Sequence, residues 1–204
     1  MKLIIPILLY FVTINFHGQV PEKAGYLFDE NGEIISQKTF EEKSGTGKYA
    51  WHISENNDSI VARIILREQY GSITIEERNE IVMALKALTG KSISNDQKII
   101  INYFLKENPP AKQKPCIDHY SSDRVYLKFL KKNKDVFQAF ITNKGFSYNK
   151  DFVFEDKNET IKKLLFKYAA DCGNYIIIQP DGKFYRRIGE YRQDFIPKKL
   201  KEDW

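Results

Sequence analysis

The chain has 204 residues, 42% of them apolar and 14% aromatic, which suits a folded core and is too hydrophobic for a disordered chain. Eleven glycines and seven prolines exclude collagen-like and low-complexity classes, and the length suits one domain with an appendage better than two full domains. Thirty-two bases against 27 acids leave a net charge of +5 on a surface rich in both signs, which aids solubility without the clustered patch that nucleic acid needs, so no nucleic-acid partner is expected.

Met1 and Lys2 precede an uncharged run from Leu3 to Phe16, about 14 residues where a bilayer span needs about 20. One cation, a short apolar stretch and a polar break at His17-Gly18-Gln19 form the pattern of a secretory signal peptide. Cutting after Gly18 leaves a small residue before the cut but Phe16 two positions earlier, where a small one is preferred. The ending, with Gln beside the cut, resembles signal peptides of the Bacteroidetes. No cysteine lies near the site, which disfavours a lipid anchor, and no later run is long enough to span a membrane. The expectation is a periplasmic or secreted protein with residues 1–19 removed; an uncleaved anchor or a buried first strand is the other reading.

Residues 20–58 read as an antiparallel β-hairpin extension. Tyr26-Leu27-Phe28 and Ile34-Ile35 flank Asp29-Glu30-Asn31-Gly32, a hairpin with Asn-Gly at its tip. Tyr49–Ile53 and Ile60–Leu66 flank Glu55-Asn56-Asn57-Asp58, a second hairpin. Ser44-Gly45-Thr46-Gly47-Lys48 lacks the spacing of a phosphate-binding loop and reads as a turn. Residues 59–204 read as the main domain. Thr74-Ile75-Glu76-Glu77 is a capping box for a helix to Leu88, closed by Gly90. Ile99–Leu105 is a near-continuous apolar run, as a strand buried on both faces requires. A loop over 108–120 follows, then a helix from Asp123 to about Lys132 capped by Ser122, and a second buried strand, Val136–Thr142. Asp156 to Glu159 caps a helix reaching Ala170, and Tyr175–Ile178 and Phe184–Arg187 flank a tight turn at Pro180-Asp181-Gly182. Alternating strands and helices ending in an antiparallel pair predict an α/β fold with a mixed central sheet.

Cys116 and Cys172 are the sole cysteines. In an exported protein an even count favours a disulfide, and this one would close a 56-residue loop worth about 4 kcal/mol in the chain-entropy model. Two free thiols are the alternative. Cys116 and His119 make a Cys-x-x-His pair, but with Cys172 and His52 the tally barely reaches the four ligands of a structural zinc site, so no metal and no cofactor is expected.

Two stretches carry a family resemblance. Gly90-Lys91-Ser92-Ile93-Ser94 with Gln97-Lys98-Ile99-Ile100-Ile101-Asn102-Tyr103-Phe104 is similar to "G-x-x-x-S … G-K-V-V-L-V-N-F-W". Gly173-Asn174-Tyr175-Ile176-Ile177-Ile178-Gln179-Pro180-Asp181-Gly182-Lys183, followed by Arg187-Ile188-Gly189, is similar to "P-T-x-F-L-I-D-x-D-G-K … x-x-G". In order and spacing the chain resembles the exported thioredoxin-like reductants and redoxins of bacterial envelopes. The resemblance implies a thioredoxin-like central mixed sheet flanked by helices, behind the N-terminal antiparallel β-hairpin extension. The chain departs from the family at its chemistry. Asn108-Pro109-Pro110-Ala111 stands where Cys-Pro-Pro-Cys is usual, and Gly173 stands at the cis-proline position, where a trans bond is expected. The resemblance also implies that Cys172, just before that position, and Cys116, in or after the active-site loop, are near in space.

Three readings follow. The first is a non-catalytic binding or scaffolding domain with a structural Cys116–Cys172 bridge and another envelope protein as partner. The second is a thiol–disulfide oxidoreductase or peroxide-reducing enzyme in which Cys116 attacks, Cys172 resolves, and Lys114, His119 and a helix N-terminus lower the thiol pKa. The third is an interaction protein acting through the N-terminal hairpins or a basic tail of Lys183, Arg186, Arg187, Arg192, Lys198, Lys199 and Lys201 interleaved with Tyr185, Tyr191 and Trp204. The sequence leaves the oligomeric state open.

Overall fold

The computed structural model describes residues 23–106, 114–202 and 204. The signal-peptide reading of residues 1–19 and the Asn108–Ala111 departure lie outside them.

The described chain begins with β1 (Ala24–Phe28) and turns through Asp29-Glu30-Asn31-Gly32 as expected. Asp29 Oδ1 accepts the backbone N–H groups of Asn31 and Glu33, both at 2.9 Å, and Gly32 takes a φ of 89°. The expected first hairpin goes no further than one antiparallel bridge, Phe28 to Ile34. Ser36 caps a helix at once, its side chain accepting from Thr39 N, and starts α1 (Gln37–Ser44). The second hairpin forms as its alternation predicts: β2 (Tyr49–Glu55) pairs antiparallel with β3 (Ser59–Leu66). β1 takes its long partner from it, lying parallel on β3, so the first sheet has three strands in the order β1-β3-β2. Through β3 that sheet continues past residue 58.

One residue, Arg67, separates β3 from β4 (Glu68–Ser72) and ties the two sheets together. Its N–H donates to Lys48 O at 3.0 Å in the first sheet, and its carbonyl accepts from Ile188 N at 2.8 Å in the second. The second sheet has six strands in the order β4-β9-β8-β5-β6-β7. β5 (Lys98–Phe104) is central, parallel to β6 (Val136–Asn143) and antiparallel to β8 (Asn174–Ile178). β7 (Val153–Asp156) extends the parallel side; β9 (Lys183–Ile188) and then β4 extend the antiparallel side. β4 and β7, both edge strands, are additions to the sequence reading.

Alternation along β5 builds two cores. Ile99, Ile101 and Tyr103 pack with Ile81 and Leu85 of α2 (Ile75–Thr89) and Ile161 and Leu165 of α5 (Thr160–Leu165). Ile100 and Phe104 face the other way, onto α3 (Cys116–Ser121), α4 (Arg124–Lys132) and α6 (Phe195–Lys199). Each fully buried isoleucine contributes about 1.5–3 kcal/mol, so the central strand alone anchors both layers. The first sheet joins the first core through Ala50 and Ile65.

The capping box of α2 forms as read, with Thr74 and Glu77 bonded reciprocally and Gly90 left-handed at φ 70°. The cap of α4 is Asp123 rather than Ser122, because its carboxylate accepts from both Val125 N and Tyr126 N. Asp156 does cap, accepting from Thr160 N and Lys162 N, but from the end of β7, and α5 ends at Leu165 instead of Ala170. Pro197 sits in the first turn of α6, where its missing N–H has no helical partner to lose.

Candidate functional site

Three segments meet at one corner of the tyrosine-rich core: the start of α3, the loop that enters β8, and the loop that leaves β9. Cys116 opens α3 and is 6% exposed; Cys172 lies half-buried in the loop before β8. The two are bridged, with Cα atoms 5.7 Å apart, inside the usual disulfide range. The long-range pairing that the resemblance implied is present.

Polar side chains fix this corner. Asn174 Oδ1 accepts from Ala170 N at 2.9 Å and Gly189 N at 3.3 Å, while its Nδ2 donates to Ala170 O at 2.9 Å and Tyr103 O at 3.1 Å. That one buried amide holds the Cys172 loop to β5 and to the end of β9. Tyr120 of α3 donates its hydroxyl to Tyr191 O at 3.1 Å and accepts from Tyr191 N at 3.2 Å, holding the third segment. Between them Gly173 has a φ of 72°, and a Cβ there would lie 2.9 Å from the Tyr120 hydroxyl. The ring of proline fixes φ near −65°, so this position has a backbone that proline cannot adopt. All peptide bonds among the described residues are trans. Neither Tyr120 nor Asn174 stood out in the sequence. A polar residue ahead of an apolar run reads as an ordinary strand flank.

A pocket of about 330 Å³ borders the bridge, lined by both cysteines with His119, Asp123, Glu190 and Gln193 among others. The sequence-predicted trio Cys116, Cys172 and His119 thus shares one wall. Lys114 is exposed and is absent from that lining. Asp123 also borders this pocket, but its carboxylate is turned to the start of α4, where it accepts from Val125 N and Tyr126 N. His52 lies elsewhere, on β2 with its ring 5.8 Å from that of Tyr168. Among the described residues no group of three or more His, Cys, Asp or Glu is placed to hold a metal.

A larger cavity of about 650 Å³ adjoins this pocket and shares Tyr120, Glu190 and Tyr191 with it. A ladder of rings underlies it: Tyr120 to Tyr191 at 4.5 Å, Tyr191 to Tyr175 at 4.4 Å and Tyr175 to Tyr185 at 5.7 Å. Burial raises the hydroxyl pKa of Tyr175, Tyr185 and Tyr191, which keeps all three protonated. Arg187, Arg192, Lys198 and Lys199 of the basic tail border this region, and most of the tail's charges are engaged. Arg187 pairs with Glu68, Arg192 and Lys198 with Asp194, Lys199 with Glu202, and Lys183 with Asp181. Arg186 donates to Leu165 O and Gln69 Oε1. Tyr185 and Tyr191 are core residues, so their faces are not available to stack on a ligand.

The mixed sheet, its order and the helices on both faces make this a thioredoxin-like fold carrying a Cys116–Cys172 disulfide. No family model and no curated protein matches the chain. Among solved structures it is similar to the exposed lipoprotein thioredoxin Etrx1 of Streptococcus pneumoniae, at 14% identity and a TM-score of 0.39, over 53% of this chain and 87% of that one. No helix of the described residues is long and apolar enough to cross a membrane.

Proposed function

We propose that this is an exported, non-catalytic binding or scaffolding domain in which the Cys116–Cys172 bridge is a permanent staple. The observation that carries the reading is the state of Cys116, buried at 6% exposure and bonded to Cys172. A catalytic sulfur needs access, and the burial of Cys116 withholds it. The thiol-free Asn108-Pro109-Pro110-Ala111 sequence and the short apolar run at the N-terminus support the same reading. Under it the signal peptide covers 1–19, the hairpin extension 20–58 and the thioredoxin-like domain 59–204, and the partner is another envelope protein.

The second reading is favoured by one feature, the shared lining of the 330 Å³ pocket by both sulfurs and His119. There the Cys116 thiolate attacks a substrate disulfide and releases one substrate thiolate. Cys172 then attacks the mixed disulfide, closes the internal bridge and releases the second, and an external dithiol returns the two electrons. Redox titration with peptide mapping separates the two. A bridge potential below about −300 mV, with no insulin- or peroxide-reducing activity, supports the staple. A bridge that glutathione opens, with activity lost in Cys116→Ser, overturns it.

A further inference from the structure

Among the described residues four strand edges are open in the two sheets: β1 and β2 in the first, β4 and β7 in the second. Three of them are blunted as edges usually are. β1 and β4 have five residues each and contain Gly25 and Gly71, and β7 has four and ends in Glu155-Asp156. β2 has seven residues, with neither glycine nor proline, and its one acid or strong base is Glu55 at the end.

The pairing of β2 with β3 decides which of its backbone groups are free. Arg67 N donates to Lys48 O and Asn56 N to Ser59 O, so the even-numbered residues of β2 turn their N–H and C=O toward β3. The odd-numbered residues turn theirs outward. Those of Tyr49 are engaged locally, its N–H by Thr46 O and its carbonyl by Arg67 Nε. The outward groups of Trp51, Ile53 and Glu55 have no partner among the described residues. Trp51 and Ile53 are also each 52% exposed, and they share a face with Ile60 of β3, which is 39% exposed. An unpaired edge and two half-exposed apolar side chains therefore coincide, beside Ala62 and Ile64 of the same face, which are buried.

We propose that β2 is an interface between two copies of this chain, paired antiparallel about a twofold axis at His52. An axis normal to the sheet keeps each side chain on its own face, so odd residues must oppose odd ones. One register sets Trp51 opposite Ile53 of the second copy and Ile53 opposite its Trp51. It satisfies the outward groups of both residues in both copies and merges the two Trp51–Ile53–Ile60 stripes. Moving the axis one residue toward the strand start sets Ile53 against Tyr49, whose backbone groups are already used. Moving it the other way sets Trp51 against Glu55, which is paired with Lys23. Charge agrees with the direction. Lys48 precedes the strand and Glu55 ends it, so parallel pairing would align like charges at both ends, while antiparallel pairing keeps them apart. The interface makes no use of the disulfide, so it stands or falls apart from the staple reading.

Sedimentation velocity over a concentration series of the chain without residues 1–19, bridge intact, tests this. A reversible dimer in the micromolar range is expected. Ile53→Lys is expected to be monomeric throughout, with a melting temperature within about 2 °C of the parent because the site is half exposed. Ile53→Pro removes only an N–H that the monomer leaves unpaired and should weaken the dimer roughly tenfold or more. The register has its own readout: opposed residues of a non-hydrogen-bonded pair have Cα atoms about 4.5 Å apart, so His52→Cys should give a bridged dimer on mild oxidation and Ile60→Cys should not. A chain that stays monomeric throughout, or a dimer that survives Ile53→Lys and gives no His52→Cys bridge, overturns the proposal.

Discussion

Gly173 is held at a φ of 72°, with the Tyr120 hydroxyl where a Cβ would go. A side chain in the left-handed region costs about 1–3 kcal/mol. Relief by moving Tyr120 would break its two hydrogen bonds to Tyr191. Gly173→Ala is therefore expected to lower stability by about 1–3 kcal/mol in a denaturant melt with the bridge intact. A change below about 0.5 kcal/mol would mean that the loop relaxes freely. Asn174→Ala should cost more, because it strands up to four backbone groups, each unpaired buried group costing roughly 1–3 kcal/mol. At this scale the sequence is half legible. A pair of cysteines behind a signal-peptide-like run points to a bridge, and the apolar run of β8 is visible. The left-handed turn, Tyr120 and Asn174 are not, because their partners lie about 70 residues away in two of the contacts that matter.

Among the elements, the β1–α1 connection carries a pH dependence. The Glu33 N–H above all, and then the Asn31 N–H and Lys43, hold the Asp29 carboxyl below its ordinary range against the opposing effect of burial. A 2.7 Å bond from Lys43 does the same for Glu30, with help from the Tyr49 hydroxyl. Both carboxyls titrate lower folded than unfolded, so the unfolded chain takes up protons first as pH falls. Their stabilisation is complete above the unfolded values near 4 and is lost as pH drops through the lowered folded ones. The first sheet should thus lose stability in acid through Asp29 and Glu30, as the second does through Glu155 and Glu159, whose carboxyls are lowered too. Trp51 fluorescence in a Trp204→Phe background reports the first, and Asp29→Asn should flatten the response. A Trp51 response to acid that Asp29→Asn leaves unchanged would count against it. The same region shows why some elements escape a sequence reading. In Gln37–Ser44 the sole large apolar residue is Phe40, so no helical stripe exists to be seen; the helix rests on the Ser36 cap. β4 reads Glu-Gln-Tyr-Gly-Ser and is a strand because β9 pairs with it. α2, β5 and the β8–β9 hairpin are legible because a capping box, a buried run and a Pro-Asp-Gly turn are local signals.

For the whole molecule, the bridge closes a loop that contains α4, β6, β7 and α5, so it constrains elements of both cores. Its 56-residue span gives a ceiling of about 4 kcal/mol from the unfolded chain's lost entropy. Single domains are stable by about 5–15 kcal/mol in total, so a loss of that size leaves a folded but marginal protein. Neither the central strand nor the two layers of helices needs the bridge to pack: Cys116 and Cys172 contribute little apolar area beside Ile99, Ile100 and Ile101. Cys116→Ala/Cys172→Ala is therefore expected to keep its far-ultraviolet circular dichroism and lose about 2–4 kcal/mol in a urea melt, with reduction of the parent giving the same loss. Because the loss arises in the unfolded ensemble, it should appear with a larger denaturant slope, as a less compact unfolded chain exposes more surface. A loss below about 1 kcal/mol with an unchanged slope would show that the bridge does not restrain the unfolded chain, and the exchange reading of the two sulfurs would then stand ahead of the staple.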